Sequence, residues 1–217
     1  MRPDVTDAHS PLDRNQIVRS IAVQLRNADA FGTGPLAELR RLNPGGSLSE
    51  PTFHRLLARH QVPLGKSEAV GIQRWGLVIH VLALAAPKQL SVPSRDREPQ
   101  EAGARSAYWR DECRRAERRF GQALFEAGFS ERRFVNLLDA VPDDLRIALP
   151  RAIRFLVAGG GSLPALAPLG LVLSADGDRD WSDQIRQRIA RGYYQAEFRG
   201  GNPQAQTASQ ALPGDAA

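Results

Sequence analysis

The chain has 217 residues, of which 42% are hydrophobic, 24% charged and 6% aromatic; this is globular composition, long enough for one or two compact domains, and it excludes disorder throughout. A single cysteine, Cys113, excludes an internal disulfide, and no cysteine–histidine grid supports a structural zinc, so hydrophobic packing must hold the fold, as suits a reducing cytoplasm. The formal charge is +5, carried by arginine except at Lys66 and Lys88, and arginine is the better bidentate ligand for phosphate.

Met1 to Pro11 has no apolar stretch of the kind an export signal carries, and residues 1–9 read as a disordered N-terminus. Ser10 and Pro11 open a first helix, with Leu12, Ile17, Val18, Ile21 and Leu25 at helical spacing. A short helix follows Gly34-Pro35, and another opens at Ser49-Glu50-Pro51 and contains Phe53, His54, Arg55, Leu56 and Leu57. From about Ser67 to Ala86 a longer helix is apolar on nearly every side, as expected of a central helix that others surround. Its apolar run, Gly76 to Ala86, is interrupted by His80 and falls short of the roughly 20 residues that span a membrane, so no membrane partner is expected.

Pro87 to Ala104 holds three prolines and no periodic apolar pattern. It reads as an exposed linker between an N-terminal bundle, 10–86, and a C-terminal bundle, 105–199. The second bundle starts with a helix over about 105–127. Trp109, Cys113, Ala116, Phe120, Ala123, Leu124 and Ala127 fall on one face, and Arg110, Arg114, Arg115, Arg118 and Arg119 on the other. Gly128 ends it. Ser130 caps the next, with Phe134, Val135, Leu137 and Leu138 as its buried stripe. A helix from Pro142 to Ala158 is expected to kink or restart at Pro150, with Gly159-Gly160-Gly161 as its C-cap. A short apolar helix within 163–173 precedes a last helix, about 180–198, that buries Trp181, Ile185, Ile189, Gly192 and Ala196. Residues 200–217 read as a disordered tail. No strand alternation occurs. The expected class is all-α, two small helical bundles joined by a proline-containing loop.

The usual catalytic and cofactor motifs are missing: no phosphate-binding loop, no dinucleotide fingerprint, no H-E-x-x-H and no G-x-S-x-G. His54 and His60 lie on different sides of a helix. His80 reads as a hydrogen-bonded core residue and Cys113 as a small hydrophobe. Asp176, Asp178 and Asp180 lack the closing glutamate of a calcium loop. No enzyme and no cofactor are expected.

Arginine on helical surfaces remains. Arg110, Arg114 and Arg118 recur one turn apart beside Arg115 and Arg119; Arg132 and Arg133 begin the next helix, and Arg151 and Arg154 lie opposite the apolar face of the one after. A row of guanidinium groups at that spacing can follow a nucleic-acid backbone without reading bases. The same row is also compatible with a solvated face balanced by Asp111, Glu112, Glu117 and Glu126, or with a helical adaptor that binds acidic protein partners. Residues 1–120 carry 19 Lys+Arg against 13 Asp+Glu, and residues 121–217 carry 10 against 11, so an anionic partner should meet the first half or the junction.

The stretch from Phe120 to Ala140, FGQALFEAGFSERRFVNLLDA, resembles the most recognisable segment of the CasB family, the small subunit of the type I-E CRISPR surveillance complex Cascade. Three further segments are similar, in the family's order: Gly34 to Arg41, Pro51 to Leu57, and Trp181 to Tyr194. The resemblance covers most of residues 15–197. It implies an all-helical, non-catalytic subunit present as a pair, in contact with other Cascade subunits and the guide RNA, that helps to hold the displaced strand of the target DNA. It carries a DNA-contact role onto Arg55, Arg132 and Arg133. Gln122 stands where the family's pattern has arginine.

Overall fold

The computed structural model describes residues 11–65, 67–173 and 179–200. The readings of 1–9, of the Ser10 cap, of residues 201–217 and of Asp176 and Asp178 fall outside them. Among the described residues the chain forms ten helices and two two-residue strands: α1 (Pro11–Arg26), α2 (Ala28–Phe31), α3 (Thr33–Arg40), α4 (Pro51–Arg59), α5 (Glu68–Ala85), β1 (Leu90–Ser91), α6 (Ala102–Glu126), α7 (Glu131–Leu138), α8 (Pro142–Ala158), β2 (Leu163–Pro164), α9 (Ala167–Leu173) and α10 (Arg179–Gly200). The all-α class is the class observed.

Helix α5 is apolar around most of its circumference and is the centre of the fold. Trp75 and the run from Gly76 to Ala83 are buried, and α1, α3, α8 and α9 pack around it. By length and composition alone this helix could cross a membrane; here its apolar surface is covered by other helices, so one core extends from Val18 and Ile21 to Ile185 and Ile189. Its polar groups are accounted for. Trp75 Nε1 donates to the Pro63 carbonyl at 3.0 Å. His80 donates from Nδ1 to the Leu39 carbonyl at 3.1 Å and accepts at Nε2 from Arg154 Nη2 at 3.4 Å. Burial holds the His80 pKa below the ordinary histidine range, against the Leu39 bond and with help from the Arg154 charge. Arg40 donates to the carbonyls of Ala83 (2.9 Å) and Ala86, closing acceptors that the end of α5 leaves open.

Local chemistry sets the helix ends. At Gly128 and Gly160, φ is +81° and +75°. The Phe129 amide reaches Leu124 and the Gly161 amide reaches Leu156, each at 2.9 Å, which is the glycine-closed C-terminus expected at both places. Gln61 does the same for α4 at φ +48°, with the Val62 amide on the Leu57 carbonyl at 3.0 Å. The start of α4 is capped from a distance: the Thr52 amide and hydroxyl donate to Glu38 of α3 at 2.8 and 2.7 Å. Those bonds lower the Glu38 pKa.

Several local expectations need correction. Helix α8 does not restart at Pro150, which lies inside one continuous element. Val135 is exposed because it lies about 100° from Phe134 on α7, outside the narrow stripe of Phe134 and Leu137. Trp181 is also exposed, one turn ahead of the buried run that begins at Ile185. Within the proline-rich segment 87–104, β1 pairs in parallel with β2, Leu90 opposite Leu163; strands this short show no alternation in sequence. The same segment is held by Arg19 Nε on the Pro93 carbonyl (3.0 Å), Tyr108 Oη on the Ser94 carbonyl (3.0 Å) and Trp109 Nε1 on Glu98 Oε1 (3.0 Å). Residues 94–97 stay exposed.

The closest helix pair is α6 with α10. Both run in the same direction, since Glu117 meets Arg188 and, further along both helices, Phe125 meets Gly200. A Cβ at Gly121 would sit 1.9 Å from the Ile189 carbonyl oxygen, and one at Gly192 would sit 2.0 Å from that of Arg118. Only glycine at both positions lets the two backbones touch.

Candidate nucleic-acid interface

The glycine seam decides which arginines of α6 stay available. The inner face carries Trp109, Ala116, Phe120, Gly121 and Leu124, all buried. Glu117, expected on the solvated face, is buried as well, at 3% exposure, and ion-pairs with Arg188 of α10. Burial pushes the Glu117 carboxyl up against the opposing pull of Arg188. Cys113, beside it, is pushed up to about 12 by burial first and then by Glu117 and Glu112, so its thiol stays protonated at neutral pH.

All nine arginines singled out from the sequence (Arg55, Arg110, Arg114, Arg118, Arg119, Arg132, Arg133, Arg151 and Arg154) are exposed, but they do not form one surface patch. Arg114 pairs with Asp111 at 3.6 Å and Arg115 with Glu112 at 2.8 Å, as a solvated face would. Arg118 and Arg119 have no ion pair among the described residues. Together with Arg115, Gln122, Gln195 and Arg199 they line a groove of about 210 Å³ between α6 and α10. Arg115 and Arg119 also border a second hollow of about 340 Å³, whose other wall is the 91–97 segment with Ser94, Asp96 and Arg97. The two hollows meet along α6. Arg110 and Arg114 line neither.

The remaining arginines sit elsewhere. Arg133 of α7 lies over the Phe155 ring of α8, 5.9 Å from its centroid. Arg154 is occupied with His80. Arg55 projects from α4 near Glu38, whose pKa it helps to lower. Gln122 donates to Glu126 at 2.7 Å, which leaves a neutral amide in the groove where the family pattern has a cation.

Sequence reasoning missed Arg199 and Arg97. Arg199 becomes relevant only once α10 lies alongside α6, and Arg97 only once the proline-rich segment folds against the same helix. The available signal was glycine in mid-helix on a packing face, Gly121 and Gly192, which marks close backbone approach. Among the described residues no group of three or more His, Cys, Asp or Glu side chains is placed to hold a metal ion. His54 and His60 have separate partners, the Leu48 carbonyl at 2.8 Å and Gln24 Oε1 at 2.9 Å.

No curated protein sequence and no solved structure matches the chain. The family model for CRISPR-associated protein Cse2 matches residues 35–194. That span takes in most of α3 through most of α10, including both seam glycines, Gly121 and Gly192, and the α6 wall of the groove, and it ends before Gln195 and Arg199. The chain therefore belongs to the Cse2 family, the CasB small subunit of the type I-E CRISPR complex Cascade, a non-catalytic structural component that works with the other subunits of that assembly.

Proposed function

We propose that this subunit supports the R-loop of a target-bound, cytoplasmic Cascade by holding the displaced DNA strand along the α6–α10 groove, through phosphate contacts that ignore sequence. The observation that carries the reading is the grouping of Arg115, Arg118, Arg119 and Arg199 around one groove, where two helices in backbone contact present them together. A strand whose sequence changes with every target has to be held by its backbone, and guanidinium groups suit phosphate oxygens. Exchange of duplex for heteroduplex is nearly balanced, so a few such contacts shift the persistence of the R-loop. Arg132, Arg133 and Arg151 on α7 and α8, and Arg55 on α4, offer further phosphate contacts apart from the groove. In this reading the subunit sits beside the guide-RNA-bearing subunits and a second copy of itself.

The test replaces Arg118, Arg119 and Arg199 together by alanine in the assembled complex. Assembly and helix content are expected to stay normal, because none of the three is buried. Retention of target DNA should fall for every target sequence alike, and the dependence of log affinity on log salt should flatten by about 0.7 for each lost single-strand contact. Wild-type affinity and slope in the triple variant would refute the groove as the strand's path. Binding of an acidic protein segment by the wild-type groove, with no salt-sensitive binding of random single-stranded DNA, would favour the adaptor reading.

A further inference from the structure

The groove ends on α10 in a feature that phosphate binding does not use. Gln195 and Arg199 also line a shallow hollow with Arg191, Tyr194 and Phe198. Phe198 is 79% exposed, the most exposed large hydrophobic side chain among the described residues. Tyr194, one turn earlier, is 39% exposed. Its ring is held in place: the hydroxyl donates to Glu131 Oε1 at 3.0 Å, and the ring packs edge-on against Phe134 and Tyr193, with centroids 6.1 and 5.4 Å apart. Phe198 has no aromatic partner among the described residues.

Arg191 and Arg199 are the cationic members of the hollow. The nearby acids are Glu131, occupied by the Tyr194 hydroxyl, and Glu197, the residue before Phe198. An exposed ring flanked by two guanidinium groups, continuous with an arginine groove, matches the alternation of π-face and phosphate along an unpaired strand. A protein partner would match the ring but would not call for the flanking arginines or the continuity with the groove.

We propose that Phe198, with Tyr194 as the fixed ring beside it, is a stacking step that takes an unpaired base of the strand lying in the groove. This rests on the groove carrying the displaced strand, and it adds that the bases are held by their faces, without regard to identity. Purines and pyrimidines both present such a face, so the site stays tolerant of sequence.

The experiment uses the assembled complex and pre-opened target duplexes whose displaced strand is either intact or made of abasic residues with the same phosphates. Wild-type complex should retain the intact strand about tenfold better than the abasic one. Phe198→Ala should lose about tenfold on the intact strand and show no further loss on the abasic strand. Phe198→Trp should keep the preference, and Phe198→Leu, apolar but without a π-face, should lose it. The salt dependence should be unchanged in all three. If the abasic and Phe198→Ala losses multiply instead of overlapping, or if wild type holds both strands equally, the stacking step is wrong, while the arginine triple variant still decides the groove separately. Failure of Phe198→Ala and Phe198→Leu to assemble, with assembly restored by Trp, would place Phe198 in a subunit contact and likewise overturn the proposal.

Discussion

Helices α5 and α6 are both held at the heart of the molecule, by opposite means. Helix α5 is buried by its side chains: Leu77, Val78, Ile79, Val81 and Leu82 fill the space between it and its neighbours, and its buried imidazole, His80, is accommodated by one carbonyl and one arginine. Helix α6 is too polar for that. Its attachment to α10 comes from the loss of side chains at Gly121 and Gly192 and from one buried ion pair, Glu117–Arg188. The contrast shows why the cationic groove belongs to α6. A helix gripped through a narrow seam keeps most of its circumference for solvent or a ligand, whereas one gripped all round has no face left to offer.

Breaking the seam at its tightest point should have the largest effect. Gly121→Leu forces a side chain into the Ile189 backbone, and a loss of more than about 3 kcal/mol is expected in chemical denaturation. Gly103→Ala, in the first turn of the same helix with nothing within 4 Å, should instead stabilise by about 0.5 kcal/mol, since alanine is the better helix former. Equal behaviour of the two glycines would remove the case for backbone contact.

Glu117→Ala comes next. It leaves Arg188, with only a fifth of its side chain exposed, without its carboxylate, at a cost of about 3 kcal/mol. The double replacement Glu117→Leu with Arg188→Met should recover most of that, because a buried pair exchanged for apolar side chains is close to neutral. No recovery would mean that the pair does more than fill the seam.

The smallest effect sharpens the α5 side of the comparison. With its pKa lowered by burial, His80 stays neutral in the fold at pH values where the unfolded chain takes up a proton. Stability is therefore complete above about pH 6.5 and declines as pH falls from there toward the lowered value. His60, also lowered by burial, acts in the same direction. Between pH 7.5 and 5, His80→Gln should lose less stability than wild type, and an identical loss would show that His80 does not titrate across folding.

Much of this was legible from residue order. Helix α5 announced itself by an apolar run with a caged histidine, the glycine-closed ends at Gly128 and Gly160 by local turn chemistry, and the arginine face of α6 by helical spacing. Trp109 was legible as buried, since it lies on the stripe that its helix turns inward. The ordered FGQALFEAGFSERRF segment carried the family. These features depend on near neighbours in the chain, and backbone dihedrals and the 3.6-residue period act within a turn or two.

Charge was harder to place. Glu117 and Glu112 are alike in sequence, yet one is buried against Arg188 of another helix and the other, half-buried, pairs with Arg115 of its own. Arg154 and Arg118 look equally available, yet one is engaged with His80 and the other borders the groove. Residue order determined that α6 would carry a row of arginines on a helix bound for a Cascade small subunit. Which of them stand together with Arg199 was decided only when α10 lay down on Gly121. The energy of a charge is set by the groups and solvent within a few ångströms of it, and those come from parts of the chain some 70 or more residues away.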